Sequence, residues 1–269
     1  MTVVRDDFSA AALADAIEEN GAEFLMTMGR AGGGEERDDD KLRWTIGGSP
    51  IDYHNAVVGA NLDATGADAA ISASLAAMRA HRVPGTWHLG PGMSPVDLGR
   101  RLVDRGFIHA GDDIGMAVDL QGLRPLQLPS GLAVSRVRTQ DDLAVWVETL
   151  GKGFGEGPKE AAWVGTIFST LGLEHVSWRH YLGRLDGEPV ATATLFLGAR
   201  VAGIYFVFTV PEARHRGIGA ALTMAPLLEA RALGYRISVL AASMMGEPVY
   251  RRLGFREYCR IGLFEWRDR

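Results

Sequence analysis

The chain has 269 residues, 47% of them hydrophobic, which is long for one domain and enough to give two domains cores of their own. Its formal net charge of −5 excludes a bulk electrostatic attraction to nucleic acid or anionic membrane, so any anion site must be local. One cysteine, Cys259, excludes an internal disulfide and fits a reducing cytoplasm, and neither "MTVVRDDFSAA" nor any later run has the apolar length of a signal peptide or membrane helix.

In chain order, residues 8–20 predict a helix stopped by Asn20-Gly21. "GRAGGGEERDDDKLR" follows. Asp38, Asp39 and Asp40 lack the oxygen-ligand spacing of a cation loop, so the stretch reads as a solvated turn and no metal is expected. "LRWTIGG" and "YHNAVVGANL" predict two short strands, and 67–81 an alanine-rich helix. "GTWHLG" predicts a strand, "SPVDLGRRLVDRGF" a helix opened by Ser94 and Pro95, and "IGMAVDL" another strand. Two prolines and two glycines in "QGLRPLQLPSG" (121–131) mark a linker. The expected domains are therefore 1–122 and 130–269.

The second half opens on the strand "LAVSRV". Thr139 and Asp142 have the spacing of a capping box, with Asp in place of Glu. Leu143, Trp146, Val147, Leu150 and Phe154 then repeat with a helical period. "GKGFGEGP" breaks that helix, and a second covers about 161–171. "HYLGRL", a turn at Asp186-Gly187, "PVATATLFL", a turn at 198–200 and "VAGIYFVFTV" make an antiparallel meander. A helix to Leu233, the strand "RISVLAA", the short helix "EPVYRRLGF" and the strand "YCRIGLFEW" complete the order β-α-α-β-β-β-α-β-α-β. That order predicts an α+β fold with a mixed sheet.

The stretch carrying chemistry is "TVPEARHRGIGAA" (209–221). It joins a strand to a helix, so its amides form the positive, unpaired end of that helix. Gly217 and Gly219 let an anion approach the backbone, and Arg214 and Arg216 supply positive charge, joined by His215 when it is protonated. A nucleotide P-loop needs Lys-Ser/Thr after its glycines, but Ala220-Ala221 stand there. A dinucleotide fold needs a third glycine, and Leu222 occupies that position.

"PEARHRGIGAAL" resembles the acyl-CoA pyrophosphate loop of the GNAT superfamily of acetyl-CoA-dependent acyltransferases, whose Arg/Gln-x-x-Gly-x-Gly/Ala pattern is met by Arg214, Gly217 and Gly219. A second element agrees: Tyr250, Gly254 and Phe255 fit the family's Tyr-x-x-x-Gly-Phe. An Asn often lies seven residues before that tyrosine, and here the position is Ser243. The resemblance covers 130–269. It implies an N-acetyltransferase that uses acetyl-CoA as co-substrate and a small-molecule or protein amine as acceptor, with no nucleic acid or membrane partner. A non-catalytic acyl-CoA sensor is the alternative. By the same resemblance Val207, Phe208 and Thr209 pair with the pantetheine arm, and His215, Arg216, Gly217, Ile218, Gly219 and Ala220 hold the pyrophosphate. Ser243 reaches the pantetheine or a nearby backbone group. Tyr250 faces the sulfur as the catalytic residue. A free tyrosine near pKa ~10 gives a proton to a thiolate near ~8.5 uphill by roughly 2 kcal/mol, so a hydrogen bond to sulfur is the safer role. No base stands out. Glu156 and Glu160 are the best placed, ahead of Tyr205 and His180.

The first half echoes the second. "LVDRGF" (102–107) is similar to "YRRLGF" (250–255), with Leu102 at the tyrosine position. "ANLDATGADAAISASL" stands in place of the glycine loop without paired glycines or arginine. Two GNAT-like domains are expected, each a mixed, mostly antiparallel sheet flanked by helices, with the first lacking a cofactor loop.

Overall fold

A computed structural model describes residues 4–124 and 126–268. Pro125, within the predicted linker, lies outside the described residues, as do the first three residues of the N-terminal stretch. The chain divides into two compact units. Unit 1 takes the segment up to Ser9 together with Met116–Glu257, and unit 2 takes Ala10–Gly115 together with Tyr258–Arg269.

Unit 2 begins with α1 (Ala10–Ala31), which runs straight through the predicted stop at Asn20-Gly21. Burial of Phe24, Leu25 and Met28 beyond that point outweighs the local breaker. The hairpin β1 (Glu35–Asp38) and β2 (Arg43–Ile46) follows, placing a strand where only a turn was expected. Asp39 sits in its turn, accepting from the amides of Lys41 and Leu42 and from Arg37. Next come β3 (Ala56–Val58), α2 (Ala64–His81), β4 (Gly85–Leu89), α3 (Leu98–Asp104) and β5 (Ile108–Asp119). α3 starts three residues after Pro95 rather than on it.

Unit 1 carries β6 (Leu132–Arg136), α4 (Gln140–Gly151), α5 (Pro158–Leu171), β7 (Trp178–Leu185), β8 (Glu188–Gly198) and β9 (Val201–Thr209). Then come α6 (Ile218–Ala232), β10 (Ile237–Ala242), α7 (Glu247–Arg252) and β11 (Arg256–Trp266). The capping box at Thr139 and Asp142 forms in both directions. Both hairpin turns have two successive left-handed residues, Asp186-Gly187 and Ala199-Arg200, as the right-handed twist of the joined strands requires.

The division differs from the expected 1–122 and 130–269 in where the strands go. The unit boundaries fall inside β5 and β11, and the predicted linker 121–131 lies wholly in unit 1. The sheet of unit 2 runs β1-β2-β3-β4-β11 and then the first part of β5; that of unit 1 runs β6-β7-β8-β9-β10 and then the end of β5. Thus the last strand of the chain is antiparallel to β4, pairing Leu263 with His88 and Trp266 with Gly85. Its Trp266 joins Ile71, Met78 and Trp87 in the core of unit 2, which is why the chain end belongs there.

In unit 1 successive residues of β7 face opposite layers. His180 stacks on Phe168 of α5, while the hydroxyl of Tyr181 donates to Glu229 of α6. The core on the α4–α5 face is a cluster of rings, with Trp146 5.9 Å from Phe206 and 5.7 Å from Phe168.

Candidate functional site

Strand β9 is built to open. At Phe206 the backbone turns left-handed (φ 49°), and the register with β8 shifts from Tyr205↔Thr194 to Phe208↔Thr192. Two residues of β9, Phe206 and Val207, face the single Ala193, a bulge that bends the strand. Thr192 Oγ1 donates to the Phe206 carbonyl at 2.9 Å, which holds the bulge. On its other side β9 is parallel to β10 at Ser238↔Ala202 and Val239↔Gly203, and the ladder has no further pair among the described residues. The strands therefore part before Val207, Phe208 and Thr209. Phe208 is buried towards the α4–α5 face, and Val207 and Thr209 are half-buried.

The glycine loop sits at the end of the parted strand. Pro211–Ala213 form one 3-10 turn, Arg214 is extended, and His215 (φ 61°) and Gly217 (φ 76°) are left-handed. Gly217 is the N-cap of α6, and no side chain caps that helix end. His215, Arg216 and Gly217 are exposed, Gly219 and Ala220 half-buried, and Ile218 buried in the core. Packing does not explain both glycines. The φ of Gly217 favours glycine, yet a Cβ there would meet only Pro129, at 3.8 Å. Gly219 is helical, and a Cβ there would rest at an ordinary 3.5 Å from Thr209 Oγ1. The fold tolerates a side chain at 219, so the glycine leaves room outside the helix end. That room fits a phosphate approaching free amides. Arg214 is committed elsewhere: its Nε donates to the Thr209 carbonyl at 3.0 Å, and its guanidinium lies 5.7 Å from the centre of the Phe208 ring. It braces the loop against β9, leaving Arg216 as the open positive group, with His215 exposed beside it.

Past β10, Ser243 is exposed and faces its own backbone. Its Oγ accepts from the Gly246 amide at 3.2 Å, at the entry to α7. Tyr250 is half-buried on α7, its ring 5.9 Å from Phe255. Its hydroxyl bonds to no other described residue, and burial holds its phenol above the ordinary tyrosine range. The tyrosine is thus protonated at any ordinary assay pH.

Residues 177–257 match the family model described as "Acetyltransferase (GNAT) domain", and they contain the bulged strand, the glycine loop, Ser243 and Tyr250. The chain carries a GNAT acetyltransferase domain. Solved structures agree on the fold. The chain is similar to a GCN5-related N-acetyltransferase from Kribbella flavida, with 19% identity, a TM-score of 0.72, and 91% of this chain and 95% of that one covered. It is similar to another from Sphaerobacter thermophilus, with 18% identity, a TM-score of 0.64, and 98% and 95% covered. It is also similar to a tandem GNAT protein from the clavulanic acid biosynthesis pathway, with 17% identity, a TM-score of 0.58, and 84% and 78% covered. These spans include both halves, so the expected fold of two GNAT-like units holds. No curated protein matches the chain. No described helix is long and apolar enough to cross a membrane.

The acid–base candidates of the GNAT domain separate clearly. His180 is buried, with Nδ1 3.0 Å from Thr194 Oγ1, and burial lowers it to about 3. It is a neutral core residue. Glu160 is also buried, accepting from the Glu156 amide at 3.0 Å, and Glu156 itself pairs with Lys159 at 2.8 Å. Tyr205 is half-buried on β9, its ring 6.2 Å from Phe196. The burial of Glu160 and the bracing role of Arg214 had no signal in the sequence, because both depend on contacts across elements.

Proposed function

We propose that the protein is an N-acetyltransferase that moves an acetyl group from acetyl-CoA to a primary amine of a small molecule or protein in the cytoplasm, by direct attack on the thioester. The observation that carries this reading is the uncapped N-terminus of α6, led by Gly217 and lying beside the parted strands β9 and β10. Acetyl-CoA supplies an acyl group activated as a thioester. The amides of Gly217, Ile218, Gly219 and Ala220, with His215 and Arg216, would bind its pyrophosphate. The free edge of Val207–Thr209 would pair with the pantetheine arm. A backbone amide of that edge would stabilise the oxyanion that forms when the amine nitrogen bonds to the thioester carbon. As the C–S bond breaks, the Tyr250 hydroxyl would donate a hydrogen bond to the departing thiolate. With its pKa raised, Tyr250 remains a donor rather than becoming a full acid. The attacking nitrogen would lose its extra proton to water. Ser243, occupied at the start of α7, would shape the backbone beside the arm.

The test is calorimetric titration with acetyl-CoA, followed by thiol release over an amine panel. Binding, and an amine that raises CoA release above hydrolysis, support the reading. No binding at millimolar acetyl-CoA rejects the donor site, and binding without amine-dependent release rejects the transferase.

A further inference from the structure

The linker keeps two large apolar side chains in water. Leu126 is 40% exposed and Leu128 48%. Single exposed leucines are common on protein surfaces, but these two stand two residues apart and lead directly into Pro129. Pro129 is the residue that a Cβ on Gly217 would meet, with its Cγ 3.8 Å away. The chain is pinned at that point. Pro129 O accepts from the Leu132 amide at 3.1 Å, and Gly131 O accepts from the Asp186 amide at 2.9 Å. Further back, Leu123 O accepts from Arg231 Nη1 at 3.4 Å. Gly217 and Arg231 mark opposite ends of α6, so the linker passes from one end of that helix to the other and finishes beside its open N-terminus.

That helix end has two distinct neighbours. A Cβ on Gly219 would meet Thr209 of β9, whereas one on Gly217 would meet only Pro129. In an acyl-CoA the pyrophosphate joins two unlike pieces: a pantetheine arm ending in the thioester, and a nucleoside whose adenine has flat, weakly polar faces. With the arm laid on the free edge of Val207–Thr209, the nucleoside leaves the helix end on the side away from β9, past Gly217, where the linker stands. Apolar side chains already in water there gain from covering the base. We infer that Leu126 and Leu128 form a shelf on which the adenine of acetyl-CoA rests, which makes the linker part of the donor site. This inference deepens the acetyl-CoA reading and rests on it. The plain alternative is a connector whose leucines touch no ligand.

The experiment uses the full chain with methyl-labelled leucines. The double variants Leu126→Ser/Leu128→Ser and Leu126→Met/Leu128→Met are titrated by calorimetry with acetyl-CoA and with S-acetyl-4′-phosphopantetheine, which keeps the arm and one phosphate but has no adenosine. Both side chains are exposed, so both variants should keep the native Tm. In the native protein we expect nuclear Overhauser contacts from adenine H2 and H8 to the Leu126 and Leu128 methyls. The serine variant should bind acetyl-CoA about tenfold more weakly, roughly 1.4 kcal/mol, and the short ligand within twofold of native. The methionine variant should bind both ligands within twofold of native. Absent adenine contacts, unchanged acetyl-CoA affinity in the serine variant, or an equal loss for both ligands overturns the inference while leaving the donor site standing. Where the short ligand binds too weakly to titrate, the adenine contacts decide alone. No binding of acetyl-CoA to the native protein at millimolar concentration rejects the donor reading itself, and the shelf with it.

Discussion

The two units place a helix after a strand in the same order and finish its first turn in opposite ways. In unit 2, Asp63 caps α2, its Oδ1 accepting from the Gly66 amide at 2.6 Å. In unit 1, Gly217 leads α6 with no capping side chain and with Arg214, His215 and Arg216 immediately before it. One helix end is satisfied by its own carboxylate, and the other is open to an external anion. The surroundings agree. A cavity of about 790 Å³ in unit 2 lies beside the strand ends at Gly59–Asn61 and Pro91–Met93, but Asp15, Glu18, Glu19 and Asp38–Asp40 line it, and Arg43, which also lines it, is paired with Glu19 at 3.1 Å. Burial raises the Glu18 carboxyl there even though the Gly92 amide donates to it. Such a wall repels a pyrophosphate.

The same divergence appears after the next helix. Phe107 N donates to Leu102 O and Phe255 N to Tyr250 O, each at 3.1 Å, and Gly106 and Gly254 both adopt left-handed φ. The backbone turn is shared, but Leu102 is fully buried where the Tyr250 hydroxyl has no partner among the described residues. A similar frame thus buries an apolar side chain in one unit and carries a half-buried tyrosine at the matching position in the other.

The comparison breaks first at Gly217. Gly217→Glu should weaken acetyl-CoA binding more than 100-fold by calorimetry, because bulk and negative charge then face the helix end. Gly217→Asn, which tolerates left-handed backbone, should retain most of the affinity. Wild-type affinity in the glutamate variant would reject the loop assignment. The same titration should give one acetyl-CoA per chain, and two would mean that the capped end of α2 also binds. Tyr250→Phe should lower kcat by about 10- to 100-fold, roughly 1.4–2.7 kcal/mol of barrier, with acetyl-CoA affinity within twofold. Because Tyr250 stays protonated, activity should show no loss from its ionisation up to pH ~10.

Acid should act unequally on the units. Burial lowers His180 to about 3 and His88 to about 4, so an unfolded chain takes up those protons below pH ~6.5 while the folded one does not. Each histidine's contribution is complete above that pH and is lost on acidification, by at most about 1.4 kcal/mol per pH unit. Asp113 in unit 2 has the opposite sign: burial raises it to about 6, so its contribution is present below pH ~3.8 and lost as pH rises through 6. Between pH 6 and 4 the slopes of His88 and Asp113 oppose each other, whereas His180 acts in unit 1. Hydrogen-exchange protection, corrected for intrinsic rates, should fall more steeply in unit 1. The smallest effect is Asp63→Ala, with about 1 kcal/mol of stability lost by thermal melting and no change in acetyl-CoA affinity.

Local order was legible wherever a signal lay within a few residues. The Thr139–Asp142 box, the Asp186-Gly187 turn, the α6 loop and the Tyr250–Phe255 turn all stand where the sequence placed them. Local punctuation failed at Asn20-Gly21, because burial further along α1 outweighed the helix break. The site was half legible. Arg214 is identifiable as part of the glycine pattern, but its engagement with Thr209 and Phe208 is a contact between elements that spacing alone cannot express.

By itself the sequence determined the element order, the single glycine loop beside positive charge, and the tyrosine missing from the first half. Those features depend on backbone conformation and residue type over short spans. Only the tertiary structure decided that the last strand completes unit 2, that β9 bulges away from β10, that room remains at Gly219, and that Glu160 is enclosed under its loop. Each depends on which apolar surfaces find one another across the chain. Burial of Trp266 in the first core and of Phe206 and Phe208 in the second is long-range packing, and it fixes the strands whose partings and loops make the candidate site.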